Sequence, residues 1–96
     1  MKIKEFLESL NNEASPAPPD SLITAVWHGL RGEWDTAHEI AQEDESADGA
    51  WVHAWLHRTE GDLSNAGYWY RQAQRKVEKG SIREEGEHIA TFLLAR

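Results

Sequence analysis

Apolar positions recur at helical spacing along most of the chain. Ile3, Phe6, Leu7 and Leu10 fall at i, i+3, i+4 and i+7, which predicts a short first helix within residues 1–14, ended by Asn11-Asn12. Ser15 to Asp20 holds all three prolines and reads as a stiff connector, because proline removes donors and biases its predecessor to extended backbone. A second helix is expected from about Pro19 to Gly29, with Asp20 or Ser21 near its start and Leu22, Ile23, Val26, Trp27 and Leu30 inward. Gly29 and Gly32 are expected to bracket a tight turn. A third helix, from about Glu33 to Glu43, then turns Trp34, Ala37, Ile40 and Ala41 inward. The fourth runs from Ser46 or Ala47 to Glu60. Gly61 turns the chain, and Asp62 caps a fifth helix carrying Leu63, Ala66, Trp69, Tyr70, Ala73 and Val77 inward, with a stop at Gly80. Ser81-Ile-Arg-Glu84 is a capping-box pattern that opens a sixth helix with Ile82, Ile89, Phe92 and Leu93 inward. Gly86 is expected to let the first turn of that helix fray.

The pattern predicts one all-α domain over residues 1–96. It comprises an N-terminal helix (1–14), a first helix pair (20–44), a second pair (46–79) and a C-terminal helix (81–96). Charge narrows the function classes. Seventeen acids against ten Lys and Arg give a net charge of −7, which disfavours nucleic acid and anionic membrane surfaces as partners. There is no cysteine, hence no disulfide framework and no thiolate chemistry. Glu5 and Glu8 break up any export-signal core near the start, and no apolar run approaches the roughly 20 residues of a membrane span. A cytoplasmic setting is expected. The acidic run Glu43-Asp44-Glu45 lacks the spacing of a calcium loop and reads as a solvated turn.

One skeleton occurs twice. With Ala25 placed on Ala54, His28 falls on His57, Gly32 on Gly61, Glu33 on Asp62, Trp34 on Leu63, Ala37 on Ala66 and Ile40 on Trp69, an offset of 29 residues. Glycine permits the turn, an acid caps the next helix, and a small alanine lets helix axes approach; two such pairs would stack and bury a shared face. The spacing of Gly61, Ala66, Tyr70 and Ala73 resembles the second helix of a tetratricopeptide repeat. The period of 29 and the missing helix-ending proline depart from that family's pattern. The string from His53 to Tyr70 also resembles a group of short, uncharacterised bacterial proteins over about residues 20–75, a likeness that brings no activity with it. The repeat resemblance implies two tetratricopeptide-like hairpins, closed off by the terminal helices and presenting a groove to a protein or peptide.

Candidate chemistry concentrates on the fourth and fifth helices. His53 and His57, four residues apart, share a helical face, and Glu60 continues the stripe. Two imidazoles at that spacing suit a transition ion, with His38, Asp62 or His28 as further ligands if the helix pairs stack suitably. The metalloprotease pattern is missing, since Ala54 follows His53 where that pattern has glutamate. The plainer reading is hydrogen bonding between helices. Tyr68, Trp69 and Tyr70 span too much of the helix to share one core, and Tyr68 is the expected outward member. Asn65 is expected to bond locally at the helix start, the alternative being a side chain directed at His57. Arg71, Arg75, Lys76 and Lys79 are expected to form the cationic end of the fifth helix. No serine sits in a nucleophile elbow, and no phosphate-binding glycine pattern occurs. The expectation is therefore a non-enzymatic protein- or peptide-interaction module without cofactor, its groove lined by His53, His57, Glu60, Asn65 and Tyr68. Surplus tryptophan surface would also suit a homodimer. The alternative is a small-ligand- or metal-binding protein using the His53/His57/Glu60 stripe.

Overall fold

The computed structural model describes residues 1–96 as an all-α protein with no strand. Helix α1 (Ile3–Glu8) runs into a 3-10 turn (Ser9–Asn11). It is followed by α2 (Leu22–Leu30), α3 (Trp34–Gln42), α4 (Ala47–Thr59), α5 (Leu63–Gln72) and α6 (Ile82–Ala95). Ser21, Ser46, Asp62 and Ser81 cap α2, α4, α5 and α6, each side chain accepting a backbone N–H of the first turn. No helix is long and apolar enough to cross a membrane.

Sequence neighbours pack together, α2 on α3 and α4 on α5, while α3 and α4 pack across the two pairs and α6 lies on α2 and α4. Helix α4 is therefore central, and every residue from Gly49 to His57 is buried. The turns after α2 and α4 share one geometry. Glu33 N–H reaches back to His28 O (2.9 Å) and Asp62 N–H to His57 O (3.0 Å), with Gly32 (φ 80°) and Gly61 (φ 87°) in the left-handed conformation that this motif requires.

Several predicted boundaries move. Helix α2 starts at Leu22, after the proline segment has ended, and the first helix stops being α-helical at Glu8. Helix α5 stops at Gln72, not near Lys79. Gln74 (φ 59°) takes the left-handed position, and Arg75 N–H bonds to Tyr70 O at 3.0 Å, the same closure made without glycine. Val77 is consequently exposed rather than inward, and so is Leu63 in the first turn of α5. Arg75, Lys76 and Lys79 lie beyond the helix, leaving Arg71 as the only basic residue in its last turn. Arg75 lies over the Trp51 ring, 3.4 Å from its centroid.

Gly29 and Gly86 serve close approach. A Cβ on either would come within 2.5 Å of the Trp55 indole, so α2 and α6 close on that ring from two directions. Gly86 is buried within helical backbone, so the cost expected from propensity alone is set against close packing on Trp55. Trp55 Nε1–H donates to Ile82 O (2.8 Å). Three positions further on, Glu85 is 2% exposed and accepts from Tyr70 Oη (2.6 and 2.7 Å), Trp51 Nε1 (3.1 Å) and Arg58 (2.9 Å). This buried carboxylate, with its three donors, fixes α6 on α4 and α5.

Candidate metal centre

Three histidines converge beside α4. His53 and His57 lie one turn apart with rings stacked at 4.9 Å between centroids and 21° between planes. Helix α3 brings His38 to them. Ala37 and Ala41 on its inner side have no exposed surface, so nothing bulky separates α3 from α4. Trp34 anchors the start of α3 by donating Nε1–H to Leu56 O at 2.6 Å, and its ring stacks on His38 at 4.6 Å and 10°. On the far side, Trp69 of α5 stacks on His53 at 4.0 Å and 11°. The imidazoles are thus held between two indoles.

His38 Nε2 and His53 Nε2 lie 2.9 Å apart, a hydrogen bond that uses a single proton. His57 Nδ1–H donates to Glu60 Oε2 at 3.1 Å, which leaves Nε2 as an acceptor for Asn65 Nδ2 at 3.4 Å. One ligand nitrogen from each of the three rings falls in a group whose members all lie within 4.8 Å of one another. Burial pushes His53 down to about 4, with the neighbouring imidazoles His38 and His57 adding to the shift. His38 is lowered too, first by burial and then by His57. Both are neutral at pH 7, the form in which imidazole ligates metals. A small cavity of about 250 Å³ borders His53, with Asp44, Glu45, Gln42 and Gln72 among its walls.

The structure gathers most of the residues expected from sequence, in a different place. His53, His57 and His38 form the centre, so it spans α3, α4 and α5 rather than the α4–α5 seam alone. Glu60 joins through the outer nitrogen of His57. Asn65 departs from the local bond expected of it: its backbone N–H takes the Asp62 cap at 3.2 Å, and its side chain turns to His57. Tyr68 is 46% exposed and packs edge-on against Trp69, away from the imidazoles. His28 bonds to Glu33 at 2.8 Å within its own turn and takes no part. Asp62 is occupied as a helix cap, although with His57 and Glu60 it forms a second, exposed group at ligand spacing. The sequence pattern turns Trp34 and Trp69 inward, and nothing in their spacing sets them apart as walls of a histidine site. No protein-family model, curated protein or solved structure matches this chain.

Proposed function

We propose that this protein binds one divalent transition-metal ion of the zinc, nickel or copper class through His38, His53 and His57. The observation that carries the reading is the convergence of three imidazoles from two helices within 4.8 Å. Imidazole donors suit these ions, whereas magnesium and calcium ask for oxygen-rich shells. A tetrahedral ion with bonds of about 2.0–2.1 Å holds its nitrogens about 3.3–3.4 Å apart. The 2.9 Å pair would open slightly and the remaining distances, none above 4.8 Å, would close by at most about 1.5 Å. The His57–Glu60 bond is the kind of outer carboxylate contact that fixes a ligating tautomer. Binding is the role proposed, without a catalytic step, and the setting proposed is the cytoplasm, which cell fractionation would test.

Elemental analysis and calorimetry on protein purified without an affinity tag test the reading. The expected result is one equivalent of zinc. At free zinc about 100 times Kd, the gain is about 2.7 kcal/mol, a rise in Tm on the order of 10–20 °C for a domain this size. Alanine at any of the three histidines should abolish that rise. Absence of stoichiometric uptake, with no thermal shift on adding zinc or nickel, removes the reading.

A second reading, the interaction module, is supported by a surface other than the predicted seam. A groove of about 410 Å³ is lined by Leu63, Ala66, Val77, Arg58 and Lys79, and Leu63 and Val77 are 69% and 54% exposed. Its apolar floor suits a peptide with an apolar anchor, and its rim carries both Lys79 and Glu78. The tetratricopeptide-like arrangement belongs to this reading, supported by the matching turns at Gly32 and Gly61. Leu63→Asp should remove such a partner while leaving zinc uptake intact; a partner retained by that variant counts against it.

A further inference from the structure

We propose that the ion held by the three histidines keeps its fourth position for water or a small monodentate anion, which Asn65 holds by a hydrogen bond. This rests on the metal-binding reading above. The three histidines belong to a group that contains no fourth His, Asp or Glu, so the protein's ionisable side chains leave a tetrahedral shell one donor short. Glu60 does not fill the gap, because its carboxylate lies on the Nδ1 side of His57.

Asn65 stands where the missing ligand would need a partner. Its Nδ2 now donates to His57 Nε2 across 3.4 Å. An ion bound to Nε2 takes up the lone pair that receives this bond. The amide then lacks an acceptor in a partly buried place, and an unmade hydrogen bond there is costly. A ligand about 2 Å from the ion, itself about 2 Å from Nε2, comes within reach of the same amide. Water or a small anion supplies the lone pair. His38 is the least buried of the three rings, which leaves that side of the centre nearest to solvent.

Cobalt(II) in place of zinc makes the test visible, since its absorption bands report coordination number and ligand exchange. Tag-free protein is loaded with cobalt(II) and titrated with azide. The expected result is a saturable change in the visible bands. In Asn65→Ala, cobalt affinity should fall less than threefold and azide affinity on the order of tenfold or more, the usual worth of a hydrogen bond to a charged group. The variant should fold, because the cap at Asp62 uses the backbone N–H of residue 65 and not its side chain. Cobalt bands indifferent to azide overturn the open position while sparing the three-histidine reading. Loss of cobalt in Asn65→Ala also overturns it, making Asn65 the fourth ligand, and unchanged azide affinity removes the role given to Asn65. Failure to take up cobalt at all sinks both proposals.

Discussion

On one side of α4, Trp51 and Arg58 reach toward α6 and meet Glu85; on the other, His53 and His57 reach toward α3 and α5. At 100° per residue these two pairs point about 130° apart around one helix. Both clusters are polar, buried and framed by aromatic rings, yet their proton inventories differ. Around Glu85 one carboxylate receives three donors, and Arg58 balances its charge. That cluster is complete, and Tyr70 is held protonated far above its ordinary range by burial and by the Glu85 carboxylate. Around the histidines, three rings converge and a single proton is shared between His38 and His53. That bond joins two nitrogens that lie at ligand spacing with His57, so a cation could replace it, whereas none has a place beside Arg58. A buried carboxylate with its charge balanced reads as structure, whereas imidazole nitrogens gathered from three residues at ligand spacing read as a site.

The sharpest way to break the comparison is Glu85→Ala. It leaves the Arg58 guanidinium, whose side chain is only 10% exposed, without its counter-charge and with the Gly80 carbonyl as its remaining acceptor, and it strands the Tyr70 hydroxyl and the Trp51 N–H. Breaking a buried pair in this way costs about 3–5 kcal/mol, a large part of the roughly 5–15 kcal/mol that holds a domain together. Denaturant midpoints measure it. A loss below about 1 kcal/mol would mean the Glu85 cluster is not the keystone that its geometry implies.

The same contrast explains how much could be read in advance. The six helices, the turns at Gly32 and Gly61, the Asp62 cap and the pairing of His53 with His57 follow from local spacing, and local spacing is visible in a sequence. The end of helix α5 is hidden in the sequence because Gln74 closes it where glycine would announce the stop. Glu85 went unnoticed because a carboxylate among Arg83, Glu84 and Glu87 reads as solvated surface, and only tertiary packing buries it. Gly86 read as a weak point for the same reason: the Trp55 ring that needs its missing side chain comes from another helix. His38 appeared only as a conditional ligand, since its approach to His53 depends on how α3 meets α4.

The next largest effect is pH dependence in the metal-free protein. His53 sits near 4 in the folded state and near 6.5 when unfolded, so between those values the unfolded chain binds more protons. Stability from this group is complete above pH 6.5 and is lost as pH falls toward 4. The loss is about 2 kcal/mol between pH 7 and pH 5, before most carboxylates titrate. The groups facing His53 are His38 from α3, His57 on its own helix, and Asp44 and Glu45 across the neighbouring cavity, while α5 presents the uncharged Trp69. Urea denaturation at pH 7 and pH 5 measures the difference. A midpoint that does not move would place His53 in contact with solvent and remove its likeness to Glu85 as a buried group.

The smallest effect on stability separates the clusters most cleanly. Glu60 is the carboxylate of the histidine side, as Glu85 is of the other, but its side chain is 39% exposed against 1%. Water replaces its bond to His57 easily, so Glu60→Ala should change folding stability by less than about 1 kcal/mol. Its effect on metal binding should be larger. Without the carboxylate on Nδ1, His57 is free to move its proton to Nε2, the atom an ion needs bare, and zinc affinity should fall about 10- to 100-fold. Paired measurements of denaturant midpoint and zinc Kd on the same protein decide it. A variant that loses stability but keeps its zinc affinity would make Glu60 a second structural carboxylate. A variant that keeps its stability and loses zinc would place the two carboxylates of α4's surroundings in different roles, one holding the fold and the other orienting a ligand.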